Sequence, residues 1–271
     1  MKVTLLGIGP PINPNRFQSS APIEIGSDLL LFDAGGGALH QLLVSGVDLS
    51  GLGPIFITHH HYDYINDMYP VILSTATLGR VDTLHIYGPG GIQYIVDSLL
   101  NGVYGPDIRF RIEENREVPR RTQGGHQRSE AINYVAVDEI GSGVVAVGDG
   151  WRVIADYVRH GDFPDSTHFD WRCPGYRIES QSEVITISGD TVPCPGVTGL
   201  DRDAGLFAQC YMWPESVLTN PTVQLLIGPA NHHSGWPDRS RSRSEAPGAN
   251  PLKRVHQRGR GIGVCAPSLS R

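Results

Sequence analysis

Ile55-Phe56-Ile57-Thr58-His59-His60-His61-Tyr62-Asp63-Tyr64 is the stretch on which the fold turns. Ile55 to Thr58 reads as a short apolar strand, and it delivers the chain directly into three imidazoles and a carboxylate. Side chains that alternate on leaving a strand point the same way. His59 and His61 can therefore converge on one ion while His60 points elsewhere. Neutral imidazole suits zinc and related transition metals, and a carboxylate beside it can bind metal or take a proton. Such a site needs further ligands from distant sequence.

Other strand ends supply candidates. Asp190 closes the apolar run Ile187-Ser188-Gly189-Asp190, and a carboxylate there can bridge two ions; read alone, it could equally be a turn aspartate. His160 follows the strand Val153 to Arg159, and alone it is as readily a surface histidine. Asp33 follows Leu29-Leu30-Leu31-Phe32 and precedes three glycines, where it could accept a hydrogen bond from a ligand histidine. Further strands are expected at Lys2–Leu6, Ala21–Ile25, Leu84–Tyr87, Val135–Val147, Tyr176–Glu179 and Val184–Ser188. Helices are expected at Leu39–Val44, Gly91–Leu100 and Ile65–Leu78, the last with Pro70 as an irregularity. Residues Arg109–Glu130 are charged without clear period and read as a loop. Paired strands with helices between some of them suit two sheets packed face to face with helices outside.

The bulk properties narrow the class. With 271 residues and 39% hydrophobic content the chain can bury a sizeable core. The net charge of −6 gives no general case for a nucleic-acid partner. Cys173, Cys194, Cys210 and Cys265 are scattered, with no CxxC pair, so neither a zinc ribbon nor a disulfide framework is suggested. The apolar run at the N-terminus breaks at once into Gly and Pro, and no run elsewhere is long enough for a bilayer. The expectation is a cytoplasmic protein with no membrane partner. Residues 235–271 differ from the rest: eight basic residues against two acidic ones give +6, leaving −12 for the body at 1–234. Arg239-Ser240-Arg241-Ser242-Arg243-Ser244 has no apolar periodicity and reads as a disordered appendage or a basic arm.

The motifs taken in order resemble the metallo-β-lactamase superfamily, and within it the ribonuclease Z and arylsulfatase-like branch. The pieces are Leu5-Leu6-Gly7-x-Gly9, Phe32-Asp33-Ala34-Gly35, His59-x-His61-x-Asp63, Tyr87-Gly88-Pro89-x-Gly91, His160, Gly175-Tyr176-Arg177 and Ser188-Gly189-Asp190-Thr191. The resemblance implies an α/β fold, an αββα sandwich with metals held by loops at one edge of the sheets. It implies that His59, His61 and His160 hold one metal, and that Asp63 and Asp190 serve a second, with Asp190 bridging. His233 matches a histidine that lies beside the reacting group and stabilises charge there. The sequence departs from the family at Tyr64, where a second-metal histidine is usual, so the second site is expected to be weaker, altered or empty. Gln209-Cys210 replaces a more usual His-Glu pair, with no role assigned. The tail offers only His256 as a final ligand, and its codons shifted by one base can spell a family-like helix, which makes it a candidate out-of-frame reading.

These features imply a metal-dependent hydrolase, with zinc as the expected ion: one bound, the second uncertain. Asp63 would orient a metal-activated water and accept its proton, and His233 would stabilise charge. The expected substrate is a small ester, lactone, sulfate ester or phosphodiester, with nucleic acid disfavoured and a homodimer allowed by the resemblance. The alternatives are a ribonuclease Z-like endonuclease that matures transfer RNA, and a non-catalytic metal-binding protein on the same fold.

Overall fold

The computed structural model describes residues 1–80, 82–117, 134–160, 172–181, 183–211 and the backbone of 255–258. The first sheet runs, in spatial and chain order, through β1 (Lys2–Val3), β2 (Ala21–Ile25), β3 (Asp28–Phe32), β4 (Leu52–Phe56), β5 (Leu84–Gly88) and β6 (Val135–Glu139). The second holds β7 (Gly143–Gly148), β8 (Trp151–Val158), β9 (Cys173–Ser180), β10 (Glu183–Ile187), β11 (Leu206–Tyr211) and β12 (Val255–Arg258). β3 to β6 are parallel, as are β10 to β12, while β7 to β10 form an antiparallel meander. The helices are α1 (Ala38–Ser45), α2 (Tyr62–Ile65), α3 (Met68–Thr77), α4 (Ile92–Asp97), α5 (Gly105–Glu117) and α6 (Pro195–Leu200).

Three apolar interfaces define the αββα layers. Leu29, Leu31, Ile55 and Ile86 of the first sheet pack against Leu42 of α1, Met68 and Ile72 of α3 and Ile92 of α4. The alternate residues Ile23, Leu30, Phe32 and Phe56 face Val153, Tyr176, Ile178 and Ile185 of the second sheet. Val158 and Cys173 meet Val197 and Leu200 of α6 on the far side. A strand buried on both faces needs apolar residues at every position rather than every second one, which is why β3 reads Leu29-Leu30-Leu31-Phe32. The sheets are also pinned by polar contacts: Trp151 Nε1 donates to Asp28 Oδ2 at 2.6 Å, and the buried Tyr176 hydroxyl donates to the Ile57 carbonyl at 2.7 Å.

Several elements differ from the sequence expectations. Residues 105–117 form α5 where a loop was expected from Arg109; Ile108 and Ile112 sit one turn apart on its inner face, and Asp107 pairs with Arg111 at 3.0 Å. Two inward residues are too few to stand out among so many charges. The run 135–147 is two strands, not one, and β6 and β7 lie in different sheets with a crossing at Ile140–Ser142. The helix expected at 65–78 is broken at Asn66-Asp67 rather than at Pro70. Pro70 lies in the first turn of α3, where a missing N–H costs no helical hydrogen bond. Asp67 instead turns its carboxylate to the backbone N–H groups of Gly37 and Leu39, both at 3.0 Å, at the start of α1.

His233, and with it the boundary drawn at 234, lie outside the described residues, as does the tail apart from 255–258. There the backbone of β12 pairs in parallel with β11, setting His256 opposite Gln209. No helix among the described residues is long and apolar enough to cross a membrane.

Candidate metal centre

The chain reaches the site along β4. After Phe56, Ile57 keeps one ladder bond to the Tyr87 carbonyl at 2.8 Å, and the strand then ends at Thr58 and His59. His61 stands immediately before α2 with extended backbone, so the helix begins on its far side and carries Asp63 and Tyr64 in its first turn. His160 follows β8, and its approach is fixed by the bridge between Arg159 and Val192. Asp190 follows β10. The turn before it passes through Gly189 at φ +59°, where a Cβ would lie 2.8 Å from that of Thr58. Only glycine permits both that conformation and that approach. All of these residues lie beyond the carboxyl ends of their strands, the edge at which α/β sheets bind ligands.

His59, His61, His160 and Asp190 each offer one ligand atom, and these atoms all lie within 4.8 Å of one another. His59 Nε2 is 3.0 Å from His61 Nδ1, and His160 Nε2 is 3.3 Å from the same atom. Asp190 Oδ2 is 3.9 Å from His59 Nε2 and 3.8 Å from His160 Nε2. Three imidazole nitrogens and one carboxylate oxygen facing a common point form a donor set that fits a tetrahedral transition-metal ion. His59 is buried, and burial lowers its pKa to about 3, so the ring is a neutral donor. Burial likewise lowers His160.

The ring of His59 is held in one tautomer by its neighbours. Thr58 donates its N–H at 2.8 Å and its hydroxyl at 3.1 Å to the Asp33 carboxyl. With that proton spent, Thr58 Oγ1 is left to accept from His59 Nδ1 at 3.0 Å, and Nε2 keeps its lone pair for a metal. Asp33 was expected to accept from a ligand histidine directly; it does so through Thr58. Burial pushes the Asp33 carboxyl well up, against the two Thr58 bonds, and either protonation state leaves an oxygen to accept them. Asp33 also sits at φ +58°, a left-handed conformation uncommon outside glycine.

Asp63 and Tyr64 hold separate positions. Asp63 is outside the four-donor set; its carboxyl is raised above the usual range by burial, with Asp190 adding to the effect. Tyr64 donates its phenol to Asp190 Oδ1 at 2.6 Å, and its ring lies 4.1 Å from that of His59, centroid to centroid. The Cys210 thiol is within hydrogen-bond reach of both Asp190 and Tyr64. Burial raises the phenol and the thiol well above their ordinary values, so both are protonated donors. Burial also acts to raise Asp190, but His59, His160 and the donors Cys210 and Tyr64 together bring it below the ordinary carboxylate range. His60 lies apart, its ring beside Gly91. Thr58 and Cys210 drew no role from the sequence. The signal for Cys210 was its place at the end of a strand parallel to the one that delivers Asp190.

Comparison with known proteins agrees with this geometry. A family model described as the anti-Pycsar protein Apyc1 matches residues 1–105. The ribonuclease Z of Mycolicibacterium paratuberculosis is 30% identical over 261 residues, covering 94% of this chain and 85% of its own. That of Mycobacterium marinum is 27% identical over 260 residues, covering 94% and 86%. Among solved structures, human tRNase Z, short form, superposes with a TM-score of 0.57 at 20% identity over 80% of each chain. The metallo-β-lactamase fold protein YhfI from Bacillus subtilis gives 0.53 at 17% identity over 78% of this chain and 70% of its own. The chain belongs to the ribonuclease Z branch of the metallo-β-lactamase superfamily and is a metal-dependent hydrolase.

Proposed function

We propose that this protein is a zinc-dependent phosphodiesterase that acts on RNA, with a transfer RNA precursor as the first substrate to test. The observation that carries the reading is the His59, His61, His160 and Asp190 cluster in a chain whose relatives of nearly full length are ribonucleases Z. Those relatives weigh against the sequence expectation that nucleic acid is not a partner.

Zinc, when bound, supplies a water whose pKa falls from 15.7 towards ~7. His59, His61 and His160 would hold the ion, and Thr58 would keep the His59 lone pair aimed at it. Asp63, whose carboxyl is raised by burial, would orient the attacking water and accept its proton. His233 is proposed to stabilise the charge that develops on the phosphate or leaving oxygen. The acidic excess of residues 1–234 favours a second reading, a small ester as substrate, since a polyanion gains least from such a surface.

The test is cleavage of a transfer RNA precursor by the zinc-loaded full chain, alongside a chromogenic ester and a chromogenic phosphodiester. Cleavage that weakens with added salt and disappears in Asp63→Asn is expected. Turnover of the ester with no cleavage of RNA would return the account to the second reading.

A further inference from the structure

We infer that the centre holds a single metal ion, because the Tyr64 phenol and the Cys210 thiol occupy the place beside Asp190 that a second ion would need. This deepens the metal-dependent reading above and rests on it. A carboxylate that bridges two ions through both of its oxygens needs each oxygen to face a cation. Asp190 turns Oδ2 towards His59 and His160, at 3.9 and 3.8 Å. Its other oxygen, Oδ1, receives the Tyr64 O–H at 2.6 Å. The positive end of that O–H dipole stands where a second cation would approach, and it satisfies the oxygen that would have bound it.

Tyr64 cannot easily swing aside. It is 3% exposed, its ring packs on the His59 ring, and its backbone is tied at both ends: the N–H donates to the His61 carbonyl at 2.9 Å, and the carbonyl accepts from Ala34 N at 2.7 Å. Cys210 flanks the same carboxylate from β11, so the phenol and thiol together face Asp190 from two elements. The carboxylate is therefore a terminal ligand of one ion, and Tyr64 is a positioning residue for it.

The experiment counts metal. The full chain is stripped with a chelator, reloaded with excess zinc, dialysed against metal-free buffer, and its zinc measured by mass spectrometry. One zinc per chain is expected. Tyr64→His replaces the donor by a nitrogen lone pair and is expected to raise the count towards two. Tyr64→Phe removes the O–H without supplying a ligand and is expected to stay at one. Two zinc ions in the unaltered chain, or no gain in Tyr64→His, would overturn the inference; should Tyr64→His fail to fold, the unaltered chain alone decides. Two ions leave the hydrolase reading standing, whereas none overturns both.

Discussion

Thr58 shows how much of the site depends on a residue with no reactive chemistry of its own. Its hydroxyl stands between the Asp33 carboxyl and the His59 ring and so sets which ring nitrogen is left for metal. Thr58→Ala removes that control while leaving the buried Cβ that packs against Gly189. We expect zinc affinity to fall by about 10- to 100-fold, as for other partners of ligand histidines, with Thr58→Ser restoring most of it, measured by competition with a chromogenic chelator. Unchanged affinity in Thr58→Ala would remove the tautomer argument. At this scale the sequence made His59 and His61 legible because their spacing lies within one segment. The bonds of Thr58 to Asp33 and of Cys210 to Asp190 cross between segments that only the fold brings together, and no local pattern records them.

At the scale of elements, a strand was most legible where burial on both faces left a continuous apolar run, as at Leu29–Phe32 of β3. What failed was the crossing between sheets at Ile140–Ser142, since a chain that changes sheet keeps its strand-like composition, and α5, whose inner face is only two residues wide. The β8–β9 pair offers a test of its own. Glu179 lies opposite Arg152 in the register and takes a 2.6 Å bond from it and another from Arg177 Nε. Arg177 in turn donates to the Leu200 carbonyl at 2.9 Å and so links β9 to α6. The Arg177 bond first, and Arg152 after it, hold the Glu179 carboxyl below the ordinary carboxylate range. A group with a depressed folded pKa stabilises the fold above its unfolded pKa, near ~4.3, and loses that contribution as pH falls through the folded value. Glu179→Gln should therefore cost roughly 1 kcal/mol at pH ~7, the upper end for a surface ion pair. The difference from the unaltered chain should vanish in acid, below the depressed folded pKa. Denaturant midpoints at both pH values would show this, and a difference that persists in acid would assign the effect to packing.

For the whole molecule, the centre is a joint between the two sheets. His59 and His61 leave the first sheet after β4, while His160 and Asp190 leave the second after β8 and β10. That convergence was readable only as a resemblance, because residues about a hundred positions apart carry no local trace of meeting; His160 and Asp190 read alone were a surface histidine and a turn aspartate. The geometry makes each sheet indispensable to the ion. The direct test is zinc affinity, by chelator competition, for the full chain and for His59→Ala and His160→Ala, one ligand from each sheet. Both variants should lose more than about 100-fold, beyond the range of changes around the ligands. If either variant binds zinc as tightly as the unaltered chain, the ion is not held where the two sheets meet.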